Sequence, residues 1–148
     1  MSVYLLLTCA IARSTKVLGD RWSLLIMRDI LMHKKSRFKE FRASKEKIAT
    51  NILSSRLKSL MELGLIEKLD PLGTKKSTRY IATLKGVKAL PVIIEMYIFS
   101  IDSIDEILLD ESQLNIKRQI LADRYKFEEN TKINYASFLK DLITQKKA

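Results

Sequence analysis

From Arg21 to His33 the apolar positions Trp22, Leu25, Ile26, Ile30 and Leu31 fall on one face of a 3.6-residue repeat, which predicts a helix with a buried side. Its hydrophobic fraction makes it the expected central core helix, with Trp22 in the core. Gly19–Asp20 separates it from a shorter candidate helix over Cys9–Leu18, and Asp20 is placed as its N-cap. Ser36 is placed to cap a short helix over Arg37–Ala43 that buries Phe38 and Phe41, and the polar turn "SKEK" follows. From Thr50, apolar residues return at Ile52, Leu53, Leu57, Leu60 and Met61, which is again helical spacing. Gly64 is placed to end that helix in a left-handed conformation. "LIEKL" alternates as a strand does, "DPLGTKKS" is a turn or short loop, and "TRYIAT" reads as the return strand with Tyr80 and Ala82 inward. Thr83 is placed to cap a helix that starts near Lys85 and runs through Ser100, bent at Pro91. Ile104, Ile107 and Leu108, then Tyr135, Phe138, Leu139, Leu142 and Ile143, predict two more helices.

The order is helix, helix, short helix, helix, strand, strand, helix. It predicts a mainly α protein with a small β-hairpin (α+β), a helix-turn-helix followed by a hairpin wing. The chain of 148 residues is long enough for one domain with a modest core. With 4 Gly and 2 Pro there is no Pro/Gly linker and no low-complexity tract, and no internal repeat is visible.

Charge sharpens this picture by its placement. Of the net +10, the stretch Lys34–Lys88 carries fifteen Lys/Arg against five Asp/Glu, whereas Ala89–Ala148 carries eight against ten. A basic field confined to the middle third suits a polyanion, nucleic acid being the commonest. The same stretch holds the predicted 50–63 helix, whose apolar stripe leaves Thr50, Asn51, Ser54, Ser55 and Lys58 on the other side. Short polar side chains reach base edges in the major groove, Asn pairs bidentately with adenine, and Thr50 offers a methyl and a hydroxyl. Arg56 and Lys58 suit the phosphate backbone, as does Arg37, and Lys75, Lys76 and Arg79 near the hairpin tip suit phosphates or the minor groove. A solvated polar face and an ordinary solvated hairpin are the plain alternatives for each element alone. Their combination inside the basic region favours double-stranded DNA.

Other chemistry is sparse. His33 is the single histidine, expected near a helix end, and no second His, Cys pair or compact carboxylate cluster completes a metal or catalytic site. No nucleophile with a base and no phosphate-binding Gly loop is present, so neither an enzyme nor a cofactor is implied. Asp29 and Arg28 are expected to pair on a helix surface, and Tyr80 and Phe41 to pack. One cysteine, Cys9, forbids an intrachain disulfide and fits a reducing compartment. Val3–Leu7 is too short an apolar run for a signal core or a membrane span, so a cytoplasmic protein without membrane contact is expected.

The blocks "CAIARSTKVLGDRWSLLIMRDIL", "RFKEFRASKEKIATNILSSRLKSLMELGLIEK" and "YIATLKGVKALPVIIEM" resemble the HxlR-type bacterial transcription regulators, relatives of the MarR group, over about Cys9 to Phe99. The resemblance implies a dimeric winged helix-turn-helix regulator whose N-terminal helix and post-wing helix build the dimer, with "ATNILSSRL" reading the major groove. Residues 1–100 are then the DNA-binding domain with its dimerisation helices, and 101–148 a C-terminal helical extension. Cys9 matches a position where some members carry a redox-sensing cysteine; a small residue in the dimer core is the other reading. Departures are Ala10 where Pro is usual, "ATLKG" where Leu-Thr-Glu-Lys-Gly is usual, and Phe99 where Trp is frequent. The extension is longer than the family leads one to expect. It either adds core and dimer surface or encloses a pocket for an unidentified small-molecule effector. A winged-helix module docking an acidic protein partner is the alternative from another class.

Overall fold

The computed structural model describes residues 8–73 and 77–147, with side chains through 145. The apolar run Val3–Leu7 and the hairpin residues Lys75 and Lys76 lie outside the described residues. The chain forms α1 (Ala10–Leu18), α2 (Arg21–His33), α3 (Phe38–Arg42), α4 (Thr50–Glu62), β1 (Ile66–Lys68), β2 (Tyr80–Ala82), α5 (Leu84–Val87), α6 (Ala89–Ile101), a 3-10 turn at Glu106–Leu108, α7 (Glu111–Ala122) and α8 (Arg124–Lys147).

Helix α2 is the centre, packed against α4, α6, α8 and β2. Its start follows from Asp20, whose carboxylate accepts the Ser23 backbone N–H at 2.9 Å. Ile26, Met27, Ile30 and Leu31 are buried, and they meet Leu53, Leu57 and Leu60 of α4 and Leu90, Ile93 and Ile94 of α6. Trp22 is only half-buried at the edge of the core, where Arg21 lays its guanidinium 4.4 Å from the ring centroid. Met27, with no exposed surface, takes the central place instead.

Ser36 is buried and accepts a hydrogen bond from Arg79 at 2.7 Å, so it does not cap α3. Glu40 does, its carboxylate accepting the backbone N–H groups of Arg37 at 2.9 Å and Ser36 at 3.2 Å. Phe41 is buried and meets Tyr80 edge to face, while Phe38 is half-buried. Asp29 also departs from the expected surface pairing. It is 3% exposed, and its charge is compensated by Arg28 at 2.7 Å, Lys35 at 3.4 Å and the Ser44 hydroxyl.

Gly64, at φ +75°, turns the chain out of α4 and directly into the wing. In the wing β1 and β2 pair antiparallel, Ile66 opposite Ala82 and Lys68 opposite Tyr80. Of the return strand, Ile81 and Ala82 are buried and Tyr80 is half-buried. Thr83 caps α5 by accepting the Gly86 N–H at 3.0 Å. Gly86 permits the close approach of α5 to the wing, since a Cβ there would stand 2.0 Å from the Leu65 carbonyl oxygen. The helix after the wing breaks at Lys88, not at Pro91. Pro91 lies in the first turn of α6, where a missing N–H removes no helical bond.

Past residue 101 the first helix lies later than the apolar pattern suggested. Ile104, Ile107 and Leu108 are exposed and form at most a 3-10 turn. Helix α7 begins after a capping box, in which Asp110 accepts the Gln113 N–H at 2.8 Å and Gln113 accepts the Asp110 N–H at 2.9 Å. Helix α8 inserts Phe127, Tyr135 and Leu142. The Tyr135 hydroxyl accepts the Ala82 backbone N–H at 2.9 Å, joining the end of the chain to the wing.

Candidate nucleic-acid interface

Leu53, Leu57 and Leu60 are buried, which fixes the rotation of α4 about its axis. Thr50, Asn51, Ser54, Ser55 and Lys58 are thereby all turned outward and exposed. The helix starts at Ala49, where no side chain caps the first N–H groups. Those amides and the helix dipole favour an anion such as a phosphate. The arrangement is a helix anchored by leucines on one side, with short hydrogen-bonding side chains and a lysine on the other.

The arginines are placed differently. Arg56 is half-buried and turned toward α2, with its Nε 3.2 Å from Asp20, the residue that caps α2. Arg79 stands at the base of the wing and donates to Ser36. Burial, and then the neighbouring charge of Arg37, push its pKa below the ordinary arginine value, with Glu40 opposing. Arg37 is half-buried beside it. Arg79 thus joins the wing to the helix-turn-helix, and Arg56 ties α4 to the start of α2, as well as carrying charge. Exposed Lys39, Arg42, Lys45 and Lys47 on α3 and the turn before α4 were not among the residues singled out from the sequence. The fifteen-to-five charge excess covered them, but no periodic pattern distinguished them.

Cys9 is exposed at the N-cap of α1, its Sγ accepting the Ala12 N–H at 3.4 Å. His33 ends α2, and partial desolvation of its ring pushes its pKa below the ordinary value. Among the described residues no group of three or more His, Cys, Asp or Glu side chains is placed to hold a metal ion, and no helix is long and apolar enough to cross a membrane.

A three-helix unit with a glycine-terminated outward-facing helix and a two-stranded wing defines the winged helix-turn-helix class of DNA-binding proteins. The chain matches the HxlR-like helix-turn-helix family over residues 17–107, and it belongs to that family. Solved structures agree. PA1607, a candidate transcription factor, is 29% identical with a TM-score of 0.61, over 74% of this chain and 75% of its own. A candidate MarR-family regulator of Porphyromonas gingivalis W83 is 26% identical with a TM-score of 0.55, over 66% and 94%. The reduced form of the transcriptional regulator YodB of Bacillus subtilis is 31% identical with a TM-score of 0.51, over 63% and 91%. No curated protein matches the chain. The protein is a DNA-binding transcription regulator, and the family and these neighbours are regulators, not enzymes.

Proposed function

We propose that the protein acts in the cytoplasm as a homodimer that occupies an inverted-repeat operator. Residues 1–100 form the DNA-binding and dimerising part, and 101–148 the extension. Helix α4 enters the major groove with Thr50, Asn51, Ser54 and Ser55 toward base edges. Lys58, Arg56 and Arg37 hold phosphates, and the 71–79 wing, with Lys75, Lys76 and Arg79, lies along the backbone or minor groove. The observation that carries the reading is the α4 face, where Thr50, Asn51, Ser54, Ser55 and Lys58 are exposed while Leu53, Leu57 and Leu60 are buried.

Dimerisation is supported by apolar surface that the chain leaves uncovered. Helix α1 buries none of its residues, Ile11 is 76% exposed and Phe99 of α6 is 91% exposed. A two-fold axis would set the two α4 helices about 34 Å apart, one turn of duplex.

Selection of bound sequences from a random duplex library tests this. The expected result is an enriched inverted repeat with half-sites about one helical turn apart. Binding without enrichment would remove sequence-specific reading. No recovery at low salt would favour docking to an acidic protein partner.

A further inference from the structure

Away from the α4 face, a cleft of about 780 Å³ opens between α2, α6, α7 and the turn that joins α3 to α4. Its size falls within the range of small-molecule pockets, about 300–1,000 Å³. One wall is apolar, built by Leu24, Leu25, Met32, Ile93 and Ile116. The other is polar, and its charges satisfy one another. Arg28 pairs with Asp29 at 2.7 Å and Glu46 at 2.5 Å, Lys35 with Asp29 at 3.4 Å, and Lys45 with Asp110 at 3.7 Å. An ionic ligand would meet no uncompensated counter-charge there, and its desolvation would go unrewarded. Nε and Nη2 of Arg28 are held by the two carboxylates, which leaves Nη1 to donate to an acceptor.

Two further features bear on what filling this cleft would do. Ser44, Lys45 and Glu46 in its wall are the turn leading into α4, and Asp29 and Arg28 of α2 hold that turn. A molecule in the cleft that accepts from Nη1 of Arg28 shares that side chain with Glu46, and so acts on the group that holds the turn. The other side of the cleft is closed by residues 109–116, beyond the stretch 17–107 that matches the family, so the site is built with this chain's own extension.

We propose that this cleft is an effector site for a small, uncharged, largely apolar molecule bearing a hydrogen-bond acceptor, and that filling it changes DNA affinity by shifting the α3–α4 turn. The regulatory half rests on the DNA-binding reading; the binding half does not.

The test uses the full chain and Nile red, an uncharged apolar dye with a carbonyl acceptor. Titration without DNA should show one dye per chain and a blue-shifted emission. Ser100→Trp and Ser112→Trp, at exposed lining positions on two different helices, should each weaken dye binding about tenfold or more while leaving the melting curve unchanged. Saturating dye should change wild-type DNA affinity about tenfold, and Glu46→Gln should bind dye but lose most of that effect. Equal dye binding by wild type and both tryptophan variants would overturn the site. So would dye binding that falls as protein concentration rises, because a second copy would then cover the cleft. Unchanged DNA affinity with dye bound, or full coupling in Glu46→Gln, would overturn the regulatory route. Should dye-free protein bind no duplex, the DNA-binding reading fails, and the dye titration still decides the cleft.

Discussion

Helices α4 and α8 each bury three large side chains, but on different terms. In α4 the buried residues are Leu53, Leu57 and Leu60, one per turn, so the whole helix is clamped at a fixed rotation. In α8 they are Phe127, Tyr135 and Leu142, one per two turns along 24 residues. The first is how a fold presents a surface at a defined angle, as the proposed reading of DNA by α4 requires. The second is how a long element is laid across a core with most of its surface left in water. One of its three anchors also serves the wing through the Tyr135–Ala82 hydrogen bond.

The comparison can be broken most strongly at α4. Leu57→Ala should cost about 2–5 kcal/mol of stability, seen as a lower urea midpoint, and DNA affinity should fall with it because the helix loses its fixed rotation. Asn51→Ala with Lys58→Ala should leave the urea midpoint within about 0.5 kcal/mol and cost about 2–4 kcal/mol of affinity in a duplex-binding titration. Unchanged binding in that double variant would remove the α4 face as the reading surface. At α8, Tyr135→Phe should cost about 1–3 kcal/mol, because the buried Ala82 N–H loses its acceptor.

That tyrosine also carries a pH signature. Burial, opposed by the Ala82 N–H, pushes its pKa up to about 12. The folded state therefore keeps the phenolic proton after the unfolded chain has released it. Stability contributed by Tyr135 is complete below the ordinary tyrosine value of about 10 and is lost as pH rises toward 12. Tyr135→Phe should flatten the stability–pH curve in that window. The smallest effect belongs to His33, whose pKa is lowered by partial desolvation of its ring. The unfolded chain takes up that proton first, so stability declines as pH falls below about 6.5. His33→Gln should weaken that decline in acid melts.

What could be read from the chain in advance follows the same division. The α4 stripe, the Asp20 cap, the Gly64 exit and the Thr83 cap are local, and each has a short-range physical signature. Trp22 was placed too deep because periodicity reports a face and not its depth. The bend was assigned to Pro91, although a proline in a first turn bends nothing. Helix α7 starts later than the apolar residues Ile104, Ile107 and Leu108 suggest, and the local signal of its start is the capping box of Asp110 and Gln113. The Asp29 cluster and the Tyr135–Ala82 bond join residues far apart in sequence, and no local pattern announces them. At the interface the outward face of α4 was legible, whereas the second engagement of Arg56 with Asp20 and of Arg79 with Ser36 depended on the fold.

A two-stranded wing has edges, and an open strand edge is a template on which another chain can add itself. Strand β2 uses its Arg79 carbonyl and Thr83 amide sides to pair with β1, which leaves the amides of Tyr80 and Ala82 pointing away. The Ser36 carbonyl accepts the first at 2.7 Å and the Tyr135 hydroxyl accepts the second. The edge is closed by two segments far apart in the chain, so strand addition finds no free amide on β2. A protein cut after Ala122 would retain the Ser36 guard and lose the other, so the wing should gain a site for strand addition at the same time as α2 loses the cover of Phe127 and Tyr135.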